Sequence, residues 1–448
     1  MKRLILYCLL FLVSGCKTTA ERTSSLDFYG KDNQSVELSY ESFVETELPP
    51  GVTTVDQFLD PGNSDFIMNL IKFQIQHSFS SFTNHSGYAD TPGIIAAKSD
   101  PVVLGAEIDL PRNVAKVKYK YSDKAVFHKK LIERSNGNIS FVLPKNPTTI
   151  YQKGFSPNSP KNKCTDQHYN SEGDFWYFWD PEYRGCPIKK DDLVEISAVI
   201  TPIPSTEDTY PAYDAIFGRG PDKKTVKITY IVGIDETFSS GDLGAKAFMM
   251  SLSLLQEQGF TLAGSPVMHQ GIVSYQKLEY KKRAYNVELD LYLSDPGTSD
   301  FLKTAAEAME SDDIFMYDGH SGLGGYLDIK SLNWALGRDL KLPNDKSQIF
   351  FMNGCSTYAY YNDSFFNLKK SAADPSGAIN LDIVTTAVGA AFDIGAKQGV
   401  SFIMSLVDGS RPKWKLIIDR LYRVEPTLSS LLQVNGDEGN PTVPRLTH

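Results

Sequence analysis

Two short runs of this chain set reactive side chains in the same local context. Residues 313–322 read Asp-Ile-Phe-Met-Tyr-Asp-Gly-His-Ser-Gly, and residues 348–357 read Gln-Ile-Phe-Phe-Met-Asn-Gly-Cys-Ser-Thr. Each is an apolar run that ends in a glycine turn, the first carrying His320 and the second Cys355. Adjacent buried strands of a parallel sheet, with their C-terminal ends at one edge, would bring that imidazole and that thiol together. A cysteine attacks a carbonyl as its thiolate, so the imidazole would take the thiol proton and later protonate the leaving amine. The tetrahedral intermediate also needs N–H donors for its oxyanion. The N–H of Cys355 is one candidate, and that of Ser321 or Gly322 is the other.

The elements that must position these residues follow from periodicity. From Val226 onward strands alternate with helices: a strand over Val226 to Ile234, then a helical face of Leu243, Ala247, Met250 and Leu254 that Asp242 would cap and Gly259 would end. Further on come a strand over Val287 to Leu293 and a helical face of Phe301, Leu302, Ala305 and Met309. The His320 strand, a helix over Ile329 to Leu336, the Cys355 strand and a strand at Ile383 to Thr386 complete the series. Repeated strand-helix order predicts a mostly parallel α/β sheet with helices on both faces.

Tyr317-Asp-Gly-His320, followed one crossover later by an apolar run and Asn353-Gly-Cys355, resembles the histidine and cysteine motifs of the caspase, gingipain and clostripain clan of cysteine peptidases. The resemblance covers about residues 225 to 400. It implies a caspase-like sheet, a His320-Cys355 dyad that cleaves peptide bonds of peptides or proteins, and no cofactor. Residues 435–438, Asn-Gly-Asp-Glu, with Pro441 beyond, are similar to the terminal strand of gingipain-like domains. Members usually carry glycine directly after the histidine, whereas Ser321 stands here before Gly322. They often carry aspartate two positions before the cysteine, where this chain has Asn353, and a neutral amide cannot pair with a substrate Lys or Arg. Asp318 and Asp393 are the remaining acidic candidates for a specificity pocket.

Upstream the pattern is β-rich. Val117, Tyr119 and Tyr121 alternate with lysines as in a half-buried strand, Asn136-Gly137 reads as a hairpin turn, and Leu193 to Thr201 reads as a strand. A helix is expected over Asp65 to His77, capped by Ser64. The predicted organisation is a signal segment at 1–15, a Ser/Thr-rich tether at 16–27, a β-rich, sandwich-like domain at 28–203, a Pro/Gly-rich linker at 204–224 and the caspase/gingipain-like domain at 225–448.

Met1-Lys-Arg, the apolar run Leu4 to Val13 and Val13-Ser-Gly-Cys16 form a bacterial lipobox pattern, with Cys16 the lipidated residue. The expected location is the cell envelope, anchored by lipid and, with Lys17 rather than Asp after the cysteine, in the outer membrane. Of five cysteines, Cys8 leaves with the signal, and Cys164 and Cys186 are expected to pair, a closure worth roughly 3 kcal/mol. Cys355 is left over. The formal net charge of −9 and the absence of a basic block with interleaved aromatics argue against a nucleic-acid partner.

Rival readings start from other residues. Ser321 in Gly319-His-Ser-Gly-Leu resembles the nucleophile of a serine esterase, although Leu323 replaces the required glycine and only His448 follows. The histidines at 77, 85, 128, 168 and 269 have no metal-ligand spacing, and most are expected to be surface or loop residues. A non-catalytic, lipid-anchored binding module is the other alternative. In it the aromatic run Phe175-Trp-Tyr-Phe-Trp179 is an exposed platform; otherwise that run is the core of the disulfide-closed loop.

Overall fold

A computed structural model describes residues 28–29, 32–154, 163–165, 172–205, 209–218, 224–282, 284–424 and 431–442. The signal segment, Cys16, the tether, His168 and His448 lie outside the described residues.

The chain enters through a two-residue strand, Phe28–Tyr29 (β1), that belongs to the distant sheet, and then builds a six-stranded antiparallel sheet. Its strands are Asn33–Glu47 (β2), Gly93–Ile95 (β3), Val102–Asp109 (β4), Val114–His128 (β5), Asn138–Pro144 (β6) and Leu193–Pro202 (β7). The order is β3-β5-β2-β7-β6, with β4 also on β5. Period-two burial is plain in β5, where Val117, Tyr119 and Tyr121 are buried and Lys118 and Lys120 are exposed. The apolar face is covered by the helices Ser64–Gln76 and Ser78–Thr83, through Ile67, Leu70, Ile71, Phe79 and Phe82. One sheet under helices replaces the expected sandwich, because the helical residues supply the apolar layer that a second sheet would otherwise provide.

Local expectations need adjustment here. Asn136 (φ 50°) and Gly137 (φ 83°) end the helix Lys129–Ser135 rather than turn a hairpin, and β6 pairs with β7 instead of β5. Ser64 is the first helical residue, not the cap. His77 and His85 are buried among aromatic rings, not in surface loops, and burial lowers both to about 4. They are neutral at pH 7.

The second sheet holds Lys224–Gly233 (β8), Thr261–Leu262 (β9), Val267–His269 (β10), Ile272–Lys281 (β11), Tyr285–Ser294 (β12), Ile314–Asp318 (β13), Gln348–Asn353 (β14), Leu381–Thr386 (β15) and Leu432–Asn435 (β16). Strands β12-β8-β13-β14-β15 are parallel; β16 and then β1 extend one side antiparallel, and β11 with β9 and β10 extends the other. Helices cover both faces. Leu243–Glu257, Phe392–Val407 and Trp414–Val424 pack on one, and Ser299–Ser311 and Ile329–Leu336 on the other. The chain is therefore a mixed α/β protein.

Part of the expected linker is ordered against this sheet. Residues Tyr213–Phe217 form a helix whose Tyr213, Ile216 and Phe217 join its core. The two sheets are not separated by free chain either, since Tyr358, Ala359, Ala387 and Leu431 pack into the core of the first.

Candidate active site

Strands β13 and β14 lie side by side in parallel, with Asp318 opposite Asn353. Both leave the sheet at one edge, and the Gly319 N–H donates to the Asn353 carbonyl at 3.1 Å just beyond it. Glycine is needed at this junction: a Cβ on Gly354 would stand 2.5 Å from the Gly319 carbonyl oxygen. His320 and Cys355 follow directly and line one cavity of about 1020 Å³.

The His320 side chain is 47% exposed. Its Nε2 pairs with Asp235 Oδ1 at 2.8 Å, and its ring stands edge-on to Phe392, 5.3 Å between centroids. Asp235 lies two residues beyond β8, the neighbour of β13. Its loop is held by Asp242, which accepts from the N–H groups of Asp235, Glu236 and Thr237 and caps the next helix at Ala245 N–H. Burial opposes ionisation of Asp242, but these four donors outweigh it and hold the carboxyl below its ordinary range. A search for reactive types alone passes over Asp235. The available signal was an acid just past a strand that leaves the sheet at the same edge as His320.

Cys355 is the free cysteine among the described residues. Burial pushes its thiol up, while the N–H groups of Ala390 and of Cys355 itself oppose the shift. No hydrogen bond joins it to His320 among the described residues. Imidazole and thiol are brought into one cleft but not into a hydrogen bond, with His320 committed to Asp235. A raised thiol is protonated at neutral pH and exposes less thiolate there than an ordinary cysteine. We therefore expect the alkylation rate of Cys355 by iodoacetamide to climb with pH, with a midpoint above the ordinary 9.0. Peptide mass mapping across pH 6 to 10 would read it, and a plateau at or below neutral pH would show a stabilised thiolate instead.

No backbone carbonyl accepts from the N–H groups of Cys355, Ser321 or Gly322 among the described residues. Gly322 takes φ +57°, and a Cβ there would stand 2.7 Å from the Tyr326 ring. Ser321 is buried, its carbonyl accepts from Tyr361 Oη at 3.2 Å, and among the described residues no imidazole reaches its hydroxyl. The esterase reading thus finds no base among the described residues, and His448 lies outside them.

The acidic candidates separate. The Asp318 carboxyl is buried against the Phe392–Val407 helix, where a Cβ on Gly395 would stand 2.3 Å from its oxygens, and it hydrogen-bonds Tyr230 Oη at 3.3 Å. Burial raises it well above the ordinary range, and Asp318 lines the cavity as well. Asp393 is exposed in the first turn of that helix and lines the cavity.

The first sheet's domain also reaches the cleft. Cys164 and Cys186 form a disulfide, and Phe175, Trp176, Tyr177 and Trp179 within its loop are buried. This favours the core over the exposed platform. Gly173, Asp174, Tyr177 and Phe178 nevertheless form part of the cavity wall, together with Leu243, Lys246 and Met250. Among the described residues no group of three or more His, Cys, Asp or Glu side chains is gathered to hold a metal ion.

No family model matches the chain. No curated protein matches it either. Among solved structures, the G domain of the T. maritima FeoB iron transporter aligns at 13% identity over 45% of this chain and 98% of that one, with a TM-score of 0.19. A likeness at that score carries no argument about fold or function.

Proposed function

We propose that this chain is a cysteine endopeptidase with a caspase- or gingipain-like domain, in which Cys355 is the nucleophile and His320 the general base. The observation that carries the reading is the register of β13 and β14, which delivers Gly-His and Gly-Cys to one sheet edge and into one cavity. The order β12-β8-β13-β14-β15 with antiparallel β16 is consistent with the sheet that the sequence resemblance implies.

On this reading a bound peptide places its carbonyl between sulfur and imidazole. His320 takes the thiol proton, the sulfur bonds to the carbonyl carbon, and the oxyanion meets the N–H groups of Cys355 and of Gly322 or Ser321. The C–N bond then breaks, the amine leaves with the proton from His320, and water releases the acid from the thioester. Asp235 fixes the orientation of the imidazole and stabilises its protonated form. A lipid anchor at Cys16, to which the lipobox points, would hold this activity at the cell envelope.

A non-catalytic binding module is the second reading, favoured by the missing His320-Cys355 hydrogen bond among the described residues. A fluorogenic peptide library, with Cys355→Ala as control, separates the two. Cleavage by the wild type and none by the variant supports the peptidase. Peptide binding without cleavage, unchanged by the substitution, supports the module.

A further inference from the structure

We propose that Tyr177 is a positioning residue for the Cys355 nucleophile, so that the disulfide-closed segment of the first domain is an integral part of the reactive site. The inference rests on the peptidase reading, and it adds a residue from outside the sheet that carries the dyad.

Ser356, immediately after Cys355, has φ 57° and ψ 26°, a left-handed conformation that an L side chain seldom adopts. The turn is held on its two flanks from within its own domain: Thr357 Oγ1 donates to the Met352 carbonyl at 2.7 Å, and Thr386 Oγ1 donates to the Gly354 carbonyl. Ser356 N–H likewise donates to the Val388 carbonyl at 3.4 Å, but its side chain is fully buried and its hydroxyl is hydrogen-bonded to Tyr177 Oη at 2.5 Å, across 179 positions of sequence.

Tyr177 is in turn fixed by its own domain. Its carbonyl accepts from Asn84 Nδ2 at 3.0 Å, its ring meets Phe79 with centroids 6.3 Å apart, and Trp176 Nε1 closes the segment onto the Gly173 carbonyl at 2.9 Å. Two residues on, Trp179 Nε1 donates to the His77 carbonyl at 3.0 Å. The first domain's core therefore sets the position of the phenol, and the phenol sets the residue that aims the Cys355 sulfur and N–H into the cavity. The segment also lines that same cavity, at Gly173, Asp174, Tyr177 and Phe178.

The test uses the full chain with Tyr177→Phe, Ser356→Ala and the double variant, each checked for an intact thermal transition. Two readouts are taken: the pH profile of Cys355 alkylation, which needs no substrate, and kcat and KM on a cleaved peptide. We expect each single variant to lower kcat by about 10- to 100-fold with KM little changed, to alter the alkylation profile, and to leave nothing further for the double variant to lose. Multiplying effects in the double variant, or an unchanged alkylation profile and kcat in both single variants, would overturn the proposal. If Tyr177→Phe fails to fold, Ser356→Ala alone decides, since it keeps the phenol. If the wild type cleaves no peptide, the peptidase reading fails separately, and the alkylation profiles still decide whether Tyr177 positions the thiol.

Discussion

Replacing His320 with alanine is expected to lower kcat on a cleaved peptide by about 10²- to 10⁴-fold, the usual contribution of a positioned general base, with KM nearly unchanged. The same substitution leaves Asp235 without its imidazole partner, but that pair is partly exposed, so the fold should tolerate the change. Asp235→Asn keeps the shape and removes the charge, and should give a smaller loss of at least about 10-fold, because the ring loses its fixed orientation and its anion. Steady-state kinetics on both variants would check the order of effects. A His320→Ala enzyme that turns over at the wild-type rate would remove the imidazole from the mechanism.

Gly244→Ala should be among the most damaging single changes outside the chemistry. This glycine lies in the first turn of the helix Leu243–Glu257, where a Cβ would stand 2.0 Å from the Gly233 carbonyl oxygen and 2.7 Å from Ile234 Cα. Both obstacles are backbone, so no side chain can swing aside. The helix must lift from the end of β8, and overpacking of this kind costs about 1–3 kcal/mol or more. The same movement would displace Asp235 and the cleft-lining Leu243, Lys246 and Met250. Thermal unfolding should show a midpoint several degrees lower, roughly 2–4 °C for each kcal/mol lost in a domain of this size. Gly241→Ala, whose Cβ would meet only Ser239 Oγ at 3.9 Å, is the matched control. Equal midpoints for the two variants would show that the helix has room to move.

Much of the second domain could be read directly along the chain. The alternation of apolar runs with helical faces anticipates β8, β12, β13, β14 and β15 and the helices at Leu243–Glu257, Ser299–Ser311 and Ile329–Leu336, with Asp242 as a true cap. Periodicity sees these elements because each buries a face set by its own residues. It does not see β11, whose side chains are mostly half-buried, or β1, which is two residues long and is a strand only because β16 lies beside it. The helix Phe392–Val407 is mostly buried and carries two glycines, Gly395 and Gly399, which read as breakers along the chain.

The candidate site divides in the same way. Residue type and glycine context by themselves determined which thiol and which imidazole to consider, since that chemistry is local to a strand end. Only the tertiary structure decided that Asp235 takes the imidazole, that Asp318 is buried, that helices rather than a second sheet cover the first domain, and that Tyr177 reaches Ser356. Each of these depends on side chains far apart in sequence meeting in a packed interior, where burial and hydrogen-bond partners, not residue identity, set charge and conformation.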